Sequence, residues 1–214
     1  VPQKREQGRV CSYCCAHEAD ELSAFLLLIE SDNHYRVDEV MKKSASEVTE
    51  RVTFVADNYV ERGPFIRKYL KFGPGVGSAY AVIHQAQEQG TYLSHLPRIY
   101  AVYQLKDELV VVMEYLQGET LQDAVLRCGP SFQLAQEAFP QACEAVRELH
   151  ECFNPPLIHR DLKPANIVLS NGRVFLIDFG IARVYRSGSV SDTSHLGTRA
   201  YAPPEQYGFG QTDT

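Results

Sequence analysis

Between residues 35 and 116 the apolar side chains fall into five short runs with a period near two, and beyond residue 116 the period lengthens to that of a helix. A strand with one apolar face must bury that face, and a helix must bury its stripe, so this change of period constrains the fold more than any other feature. The strand-type runs are "YRVDEVM" (35–41), "RVTFVAD" (51–57), "GPFIRKYLKF" (63–72), "RIYAVYQL" (98–105) and "ELVVVMEYL" (108–116). "KKSASEVTE" reads as the turn between the first two, and "KDE" joins the last two. "GPGVGS" breaks the pattern after the third run, and "AYAVIHQAQEQG" follows as a helix of good formers closed by Gly90. The expectation is a five-stranded antiparallel sheet with one helix inserted after its third strand.

The second half reads as mostly helical. "ETLQDAVLRC" is a short helix, and "QLAQEAFPQACEAVRELHECF" a longer one with Phe139, Ala142, Val146 and Leu149 on one face. Pro140 should kink the longer helix or mark its true start. "NIVLS" and "RVFLI", joined by Asn171–Gly172, form a short strand pair, and a polar loop rich in Gly and Ser runs from Arg183 to Thr198. The fold class is therefore α+β, with a sheet lobe and a helical lobe around a cleft. The expected division is a tail and helix over 1–34, a first lobe over 35–116 and a second over 117–214.

A net charge of −6 and the absence of a long Lys/Arg block argue against electrostatic binding of nucleic acid. The longest apolar run, Ala24 to Ile29, is far short of the roughly 20 residues that span a bilayer, and it follows "HEADEL" instead of a basic segment. A soluble, cytoplasmic segment is expected. Of the six cysteines, Cys128, Cys143 and Cys152 read as buried or half-buried thiols in helices. Cys11, Cys14, Cys15 and His17 offer metal-ligand chemistry, but no second knuckle accompanies them, and the cluster reads as incidental.

The charged groups are concentrated in "LIHRDLKPANIVL" (157–169), wedged between apolar runs, with "DFG" (178–180) and "GTRAYAPPE" (197–205) after it. Asp161, Lys163, Asn166 and Asp178 combine a carboxylate, a point cation and two hard oxygen donors, the residue types that would converge on a phosphate–metal ligand. Taken in order, "HRDLKPAN", "DFG" and "GTRAYAPPE" resemble the catalytic loop, metal loop and peptide-positioning segment of the protein kinase superfamily. The lysine two positions after the aspartate resembles the serine/threonine branch, and "YAPPEQYG" resembles its bacterial, Hanks-type members.

That resemblance implies transfer of the ATP γ-phosphate, with Mg²⁺, to Ser/Thr hydroxyls of protein substrates. Asp161 would accept or orient the hydroxyl proton, Lys163 would sit at the moving phosphate, and Asn166 and Asp178 would hold the metal. Gly180 would permit a sharp turn after Asp178, Phe179 would be a packing plug, and Thr198 would contact Asp161. The resemblance also calls for a first-lobe lysine. Lys68 fits, because Ile66 shares its strand face and suits an adenine-pocket wall, whereas Lys71 has the bulky Tyr69 there. "VVVMEYLQGETL" resembles the pocket wall and hinge, with Met113 behind the ring, Glu114 and Leu116 bonding adenine through their backbones, and Glu119 or Asp123 at the ribose.

Two departures stand out. The helix position whose acid should pair with Lys68 falls at Gln87, which would be a neutral partner, or at Glu88, the only acid there. The glycine-rich flap is replaced by "MKKSASEVTERV", in which Ser44, Ala45 and Ser46 are small and Lys42 and Lys43 add charge. The loop hydroxyls Ser187, Ser189, Ser191, Thr193 and Ser194 are candidate autophosphorylation sites, with Arg160 as a partner for the phosphate. The family's later helices are absent before Thr214, so a truncated domain, unstable in isolation, is expected. The alternatives are a pseudokinase-like binding module and, less in keeping with "GTRAYAPPE", a small-molecule phosphotransferase.

Overall fold

Five strands, β1 (Tyr35–Lys43), β2 (Glu47–Val55), β3 (Glu61–Lys71), β4 (Ile99–Leu105) and β5 (Glu108–Glu114), form one antiparallel sheet in the order β1-β2-β3-β5-β4. The molecule is seen in a computed structural model that describes residues 32–56, 59–73, 75–185, 197–198 and 200–207. The anticipated "CSYCCAH" cluster, the helix over 22–29 and the loop hydroxyls at 187–194 lie outside these residues.

The first hairpin is tighter than expected. Residues 42, 43 and 47–50 are strand, not turn, because the ladder continues through the Lys42↔Thr49 and Lys43↔Val48 pairs. Only three residues remain for the turn, and the Ser44 side chain closes it. Its hydroxyl oxygen accepts from the Ser46 and Glu47 amides at 3.3 and 3.0 Å.

The central strand, β5, is the most apolar, with Val110 to Met113 all buried between its neighbours. Helix α1 (Ser78–Glu88) packs on β4 and buries Ala79, Tyr80 and Ile83 in one core with Val111 and Met113. On the outer face, Asp32 accepts from Tyr69 at 2.9 Å, Tyr103 at 2.7 Å and Arg67 at 3.2 Å, so the buried guanidinium is paired.

After the sheet come β6 (Glu119–Thr120), α2 (Leu121–Cys128), α3 (Phe132–Glu151), β7 (Leu157–Ile158), β8 (Ile167–Ser170), β9 (Arg173–Leu176) and β10 (Arg183–Val184). Strands β6, β8 and β9 form one small sheet, and β7 pairs with β10. Thr120 and Ser131 cap the two helices by accepting from Asp123 and Leu134 amides, each worth about 1 kcal/mol. Gly118 lets the chain leave the large sheet, since a Cβ there would lie 2.0 Å from the Leu169 carbonyl oxygen. One core runs through both lobes, joining Tyr80, Ile83, Val111 and Met113 to Leu149, Leu157, Leu176 and Phe179.

Two features of α3 differ from the sequence reading. Pro140 sits inside the helix and does not mark its start, which is at Phe132. The buried stripe is Ala138, Ala145 and Leu149, while Phe139 is 70% exposed, because α3 packs through its small residues and Gln141 onto β9. Cys128, Cys143 and Cys152 are exposed free thiols, not buried ones. Among the described residues, no helix is long and apolar enough to cross a membrane.

Candidate active site

The loop between β7 and β8 and the segment after β9 lie side by side, and buried groups hold both. His159 donates from Nε2 to the Ile177 carbonyl at 3.0 Å, while its Nδ1 accepts from the Asp161 amide at 3.3 Å. That pattern requires the neutral ring, and burial pushes the His159 pKa down accordingly. The Phe179 ring meets His159 edge-on at 5.3 Å and Tyr80 at 5.7 Å. Phe179 is thus the plug between the loops and α1.

Two non-glycine residues adopt left-handed backbones here, Arg160 at φ 68° and Asp178 at φ 67°. Such strain costs on the order of 1–3 kcal/mol and persists where surrounding contacts impose it. The sharp turn is therefore made by Asp178 itself. Gly180, expected to supply it, has no left-handed φ and instead accepts the Gly77 amide with its carbonyl.

The Asp161 carboxylate accepts three side-chain hydrogen bonds. Its Oδ1 accepts from the Thr198 hydroxyl at 2.7 Å, and its Oδ2 accepts from Lys163 at 2.6 Å and from Asn166 Nδ2 at 3.0 Å. Burial alone would raise its pKa, but these three donors outweigh burial and hold it below the usual carboxylate range. Asn166 also donates Nδ2 to the Asp161 carbonyl at 2.8 Å, which leaves its amide oxygen as the atom available to a cation.

Lys68 enters from β3, buried on all sides. Its ammonium lies 2.9 Å from Asp178 Oδ1 and 3.2 Å from Glu47 Oε1. Burial disfavours its charge, but the Tyr80 oxygen and the carboxylates of Asp178 and Glu47 more than offset this and raise its pKa. Burial likewise opposes ionisation of Asp178, and the Lys68 charge outweighs it, so the carboxyl is held low. Lys71 is exposed at the end of β3.

These groups border a cavity of about 440 Å³ between the sheet and the helical lobe. Ile66 and Thr49 line it from the sheet, Val168 and Ile177 from the helical lobe, and Met113 and residues 114–116 complete its apolar wall. Lys68, Lys163, Asn166 and Asp178 close its polar end. A second cavity of about 370 Å³ shares Lys42, Glu47, Lys163 and Asp178 with the first and adds Asp161 and Thr198.

Three sequence expectations fail in this geometry. Glu119 does not reach the cavity, because its carboxylate is paired with Arg127 at the surface, and Asp123 is turned to Thr120. Neither candidate helix partner meets Lys68. Gln87 donates to the Pro97 carbonyl at 3.0 Å and accepts from the Ile99 amide at 2.8 Å, and Glu88 is an exposed partner of Arg98. Of the small flap residues, Ser44 and Ser46 have their amides bonded within the turn, to the Glu47 carbonyl and the Ser44 hydroxyl, and none of Ser44, Ala45 and Ser46 lines the first cavity.

The site also contains groups the sequence reading passed over. Glu47 and Thr49 line the cavity from β2, and the Tyr80 hydroxyl accepts the Phe179 amide at 3.1 Å. Glu47 and Thr49 share a strand face, but only the β2–β3 register brings that face to Lys68, and the sequence does not give the register. Nothing in the local sequence marks Tyr80.

Residues 84–213 match the model of the protein kinase domain. The chain belongs to the protein kinase family. Its kinase sequence is 39% identical to the serine/threonine-protein kinase PknB of Mycobacterium leprae over 140 residues, which covers 60% of this chain and 22% of that protein. The PknB of Mycolicibacterium smegmatis is 38% identical over 141 residues, with the same coverage. A carbon catabolite-derepressing protein kinase of Saccharomyces cerevisiae is 36% identical over 112 residues, 52% of this chain and 17% of that protein. The chain thus matches about a fifth of the length of these relatives. The kinase match begins inside α1, so the flap and Lys68 precede it.

Proposed function

We propose that this kinase domain transfers the γ-phosphate of ATP to serine or threonine hydroxyls of protein substrates. The observation that carries the reading is the convergence of Lys68, Asp178, Asn166 and Lys163 on one end of an apolar cavity, with Asp161 and Thr198 in the cavity beside it. The apolar end suits adenine between Ile66 and Val168, backed by Met113. The Glu114 amide is committed to the Arg98 carbonyl at 2.8 Å, so a backbone donor to the ring falls to Leu116. The polar end suits a triphosphate.

Asn166 and Asp178 fit Mg²⁺ through the chemistry of their donor atoms. Both offer hard oxygens, and among the described residues no cluster of three or more His, Cys, Asp or Glu could enclose a cation without phosphate and water. When bound, Mg²⁺ supplies charge neutralisation on the triphosphate oxygens.

The protein's own groups do the remaining work. Lys68 holds the phosphates from the sheet side. Lys163, bonded to both Asp161 and Thr198, stands where charge builds on the moving phosphoryl group. Asp161, held ionised with a low pKa, is a weak base. Its task is to accept the substrate hydroxyl's hydrogen bond and aim the oxygen in line, which suffices for a loose phosphoryl-transfer transition state.

The reading is tested by incubating the full-length protein with γ-labelled ATP, Mg²⁺ and a general protein acceptor, then identifying the labelled residues. Label on serine or threonine, lost on chelation of the metal, is expected. Label on neither, or transfer indifferent to chelation, overturns it.

A further inference from the structure

We infer that Glu47, on the flap strand β2, positions Lys68 for the triphosphate, so that the lysine's acidic partner comes from the flap and not from helix α1. The inference rests on the ATP-binding reading above and deepens it by assigning a positioning residue.

Four observations carry it. Glu47 Oε1 stands 3.2 Å from the Lys68 ammonium, and both side chains are largely sequestered, at 12% and 8% exposure. The register explains the contact. Thr49 is directly opposite Lys68 and Glu47 opposite Leu70, so Glu47 is the diagonal neighbour of Lys68 on the cavity face of adjacent strands. Thr49 then fixes the carboxylate, donating its hydroxyl to Glu47 Oε1 at 2.9 Å. Finally, the helix provides no competitor. Tyr80 fills the buried position facing Lys68, and Gln87 and Glu88 are engaged elsewhere.

The other Glu47 oxygen holds Lys42 from β1, and Lys42 lies 4.0 Å from Asp178 Oδ2. Charges therefore alternate in sign from the flap to the metal loop, through Lys42, Glu47, Lys68 and Asp178. Because the Ser44, Ser46 and Glu47 amides are bonded within the turn, the flap meets phosphate chiefly through these side chains. A helix acid could withdraw with its helix, whereas Glu47 is joined to Lys68 by the sheet ladder itself. The pair then forms whenever β2 and β3 are paired, with no helix movement required.

Without Glu47, the carboxylate left beside Lys68 is Asp178. The ammonium would be drawn onto the metal loop and away from the phosphates.

The test uses the full-length protein and two probes, the β,γ-imido analogue of ATP with Mg²⁺, and adenosine. Glu47→Gln should reduce the preference for the triphosphate over adenosine roughly tenfold, with adenosine affinity itself kept. Glu47→Asp should recover part of the preference, and Glu88→Gln should leave it intact. On a Lys68→Met background, Glu47→Gln should change the preference less than about twofold, because its effect passes through Lys68.

An unchanged or increased preference in Glu47→Gln, or the same loss with and without Lys68, overturns the inference. Should Glu47→Gln not fold, Thr49→Val decides, since it frees the carboxylate but keeps its charge. A reduced preference supports the assignment, and an unaltered one contradicts it. These affinities are read without turnover. A wild-type protein that shows the preference but transfers no phosphate refutes the proposed function and leaves this inference standing.

Discussion

Thr198 donates its hydroxyl to Asp161 at 2.7 Å, and Lys163 touches both, at 2.8 Å to Thr198 and 2.6 Å to Asp161. The three form a closed ring that spans the catalytic loop and the segment beginning at Gly197. Thr198 thus orients the carboxylate that would receive the acceptor hydroxyl. Thr198→Ala should lower kcat about tenfold or more with little change in the KM for ATP, because the triphosphate end of the site is left intact. Thr198→Ser, which keeps the hydroxyl, should retain most of the rate. Steady-state kinetics of both variants checks this, and equal losses would deny the hydroxyl its role.

Gln87 clasps α1 to the strand entrance by two buried hydrogen bonds. Gln87→Leu would strand the Pro97 carbonyl and the Ile99 amide, at about 1–3 kcal/mol for each unsatisfied group. Thermal unfolding should show a clear drop in midpoint, while the affinity for ATP stays within about twofold in the folded protein. Glu88→Gln, which alters only an exposed pair, should leave the midpoint near that of the wild type. A Gln87 variant of normal stability but poor nucleotide affinity would restore Gln87 as the Lys68 partner.

The reasons for these successes and failures are physical. The five strands and α1 were legible because alternation and helical period are local properties, and the charged loops were legible because "HRDLKPAN" and "DFG" are contiguous. Glu47 was not legible. Its meeting with Lys68 depends on the long-range β2–β3 register, and β2 begins at Glu47 itself, inside a stretch whose composition reads as turn. Gln87 and Glu88 were chosen by family spacing, yet the helix faces Lys68 with Tyr80 instead. The apolar character of Phe139 suggests the buried stripe, but close packing of α3 on β9 favours Ala138 there, while Leu149 is buried and Val146 packs on the core as expected. The left-handed backbone fell on Asp178 and not on glycine, a choice made by the surrounding contacts and invisible to propensity.

His159 gives the fold a pH dependence with a definite sign. Burial lowers its pKa in the folded chain, so on acidification the unfolded chain takes up a proton near the ordinary value of about 6.5 while the folded chain does not. Stability therefore falls as pH drops below about 6.5, by at most about 1.4 kcal/mol per pH unit for one such site, until the folded group titrates. His150, also lowered by burial, acts in the same direction. Asp161, Asp178 and Glu47 have lowered pKa values, so their contribution is lost only at more acidic pH, below the ordinary carboxylate range of about 4. Thermal unfolding at pH 7.5 and 5.5 should show the loss, and His150→Gln should keep most of it. A midpoint that does not move between these values would contradict the neutral, buried assignment of His159.

The central claim is that Asp161 and Asp178, on separate loops, serve one phosphoryl transfer. Its most direct measurement is single-turnover transfer from γ-labelled ATP by the full-length protein and by its Asp161→Asn and Asp178→Asn variants, each verified as folded by thermal melting. Both variants should lose at least about a thousandfold in rate, and Asp161→Asn should still bind the nucleotide. Transfer at the wild-type rate by either folded variant would contradict the account.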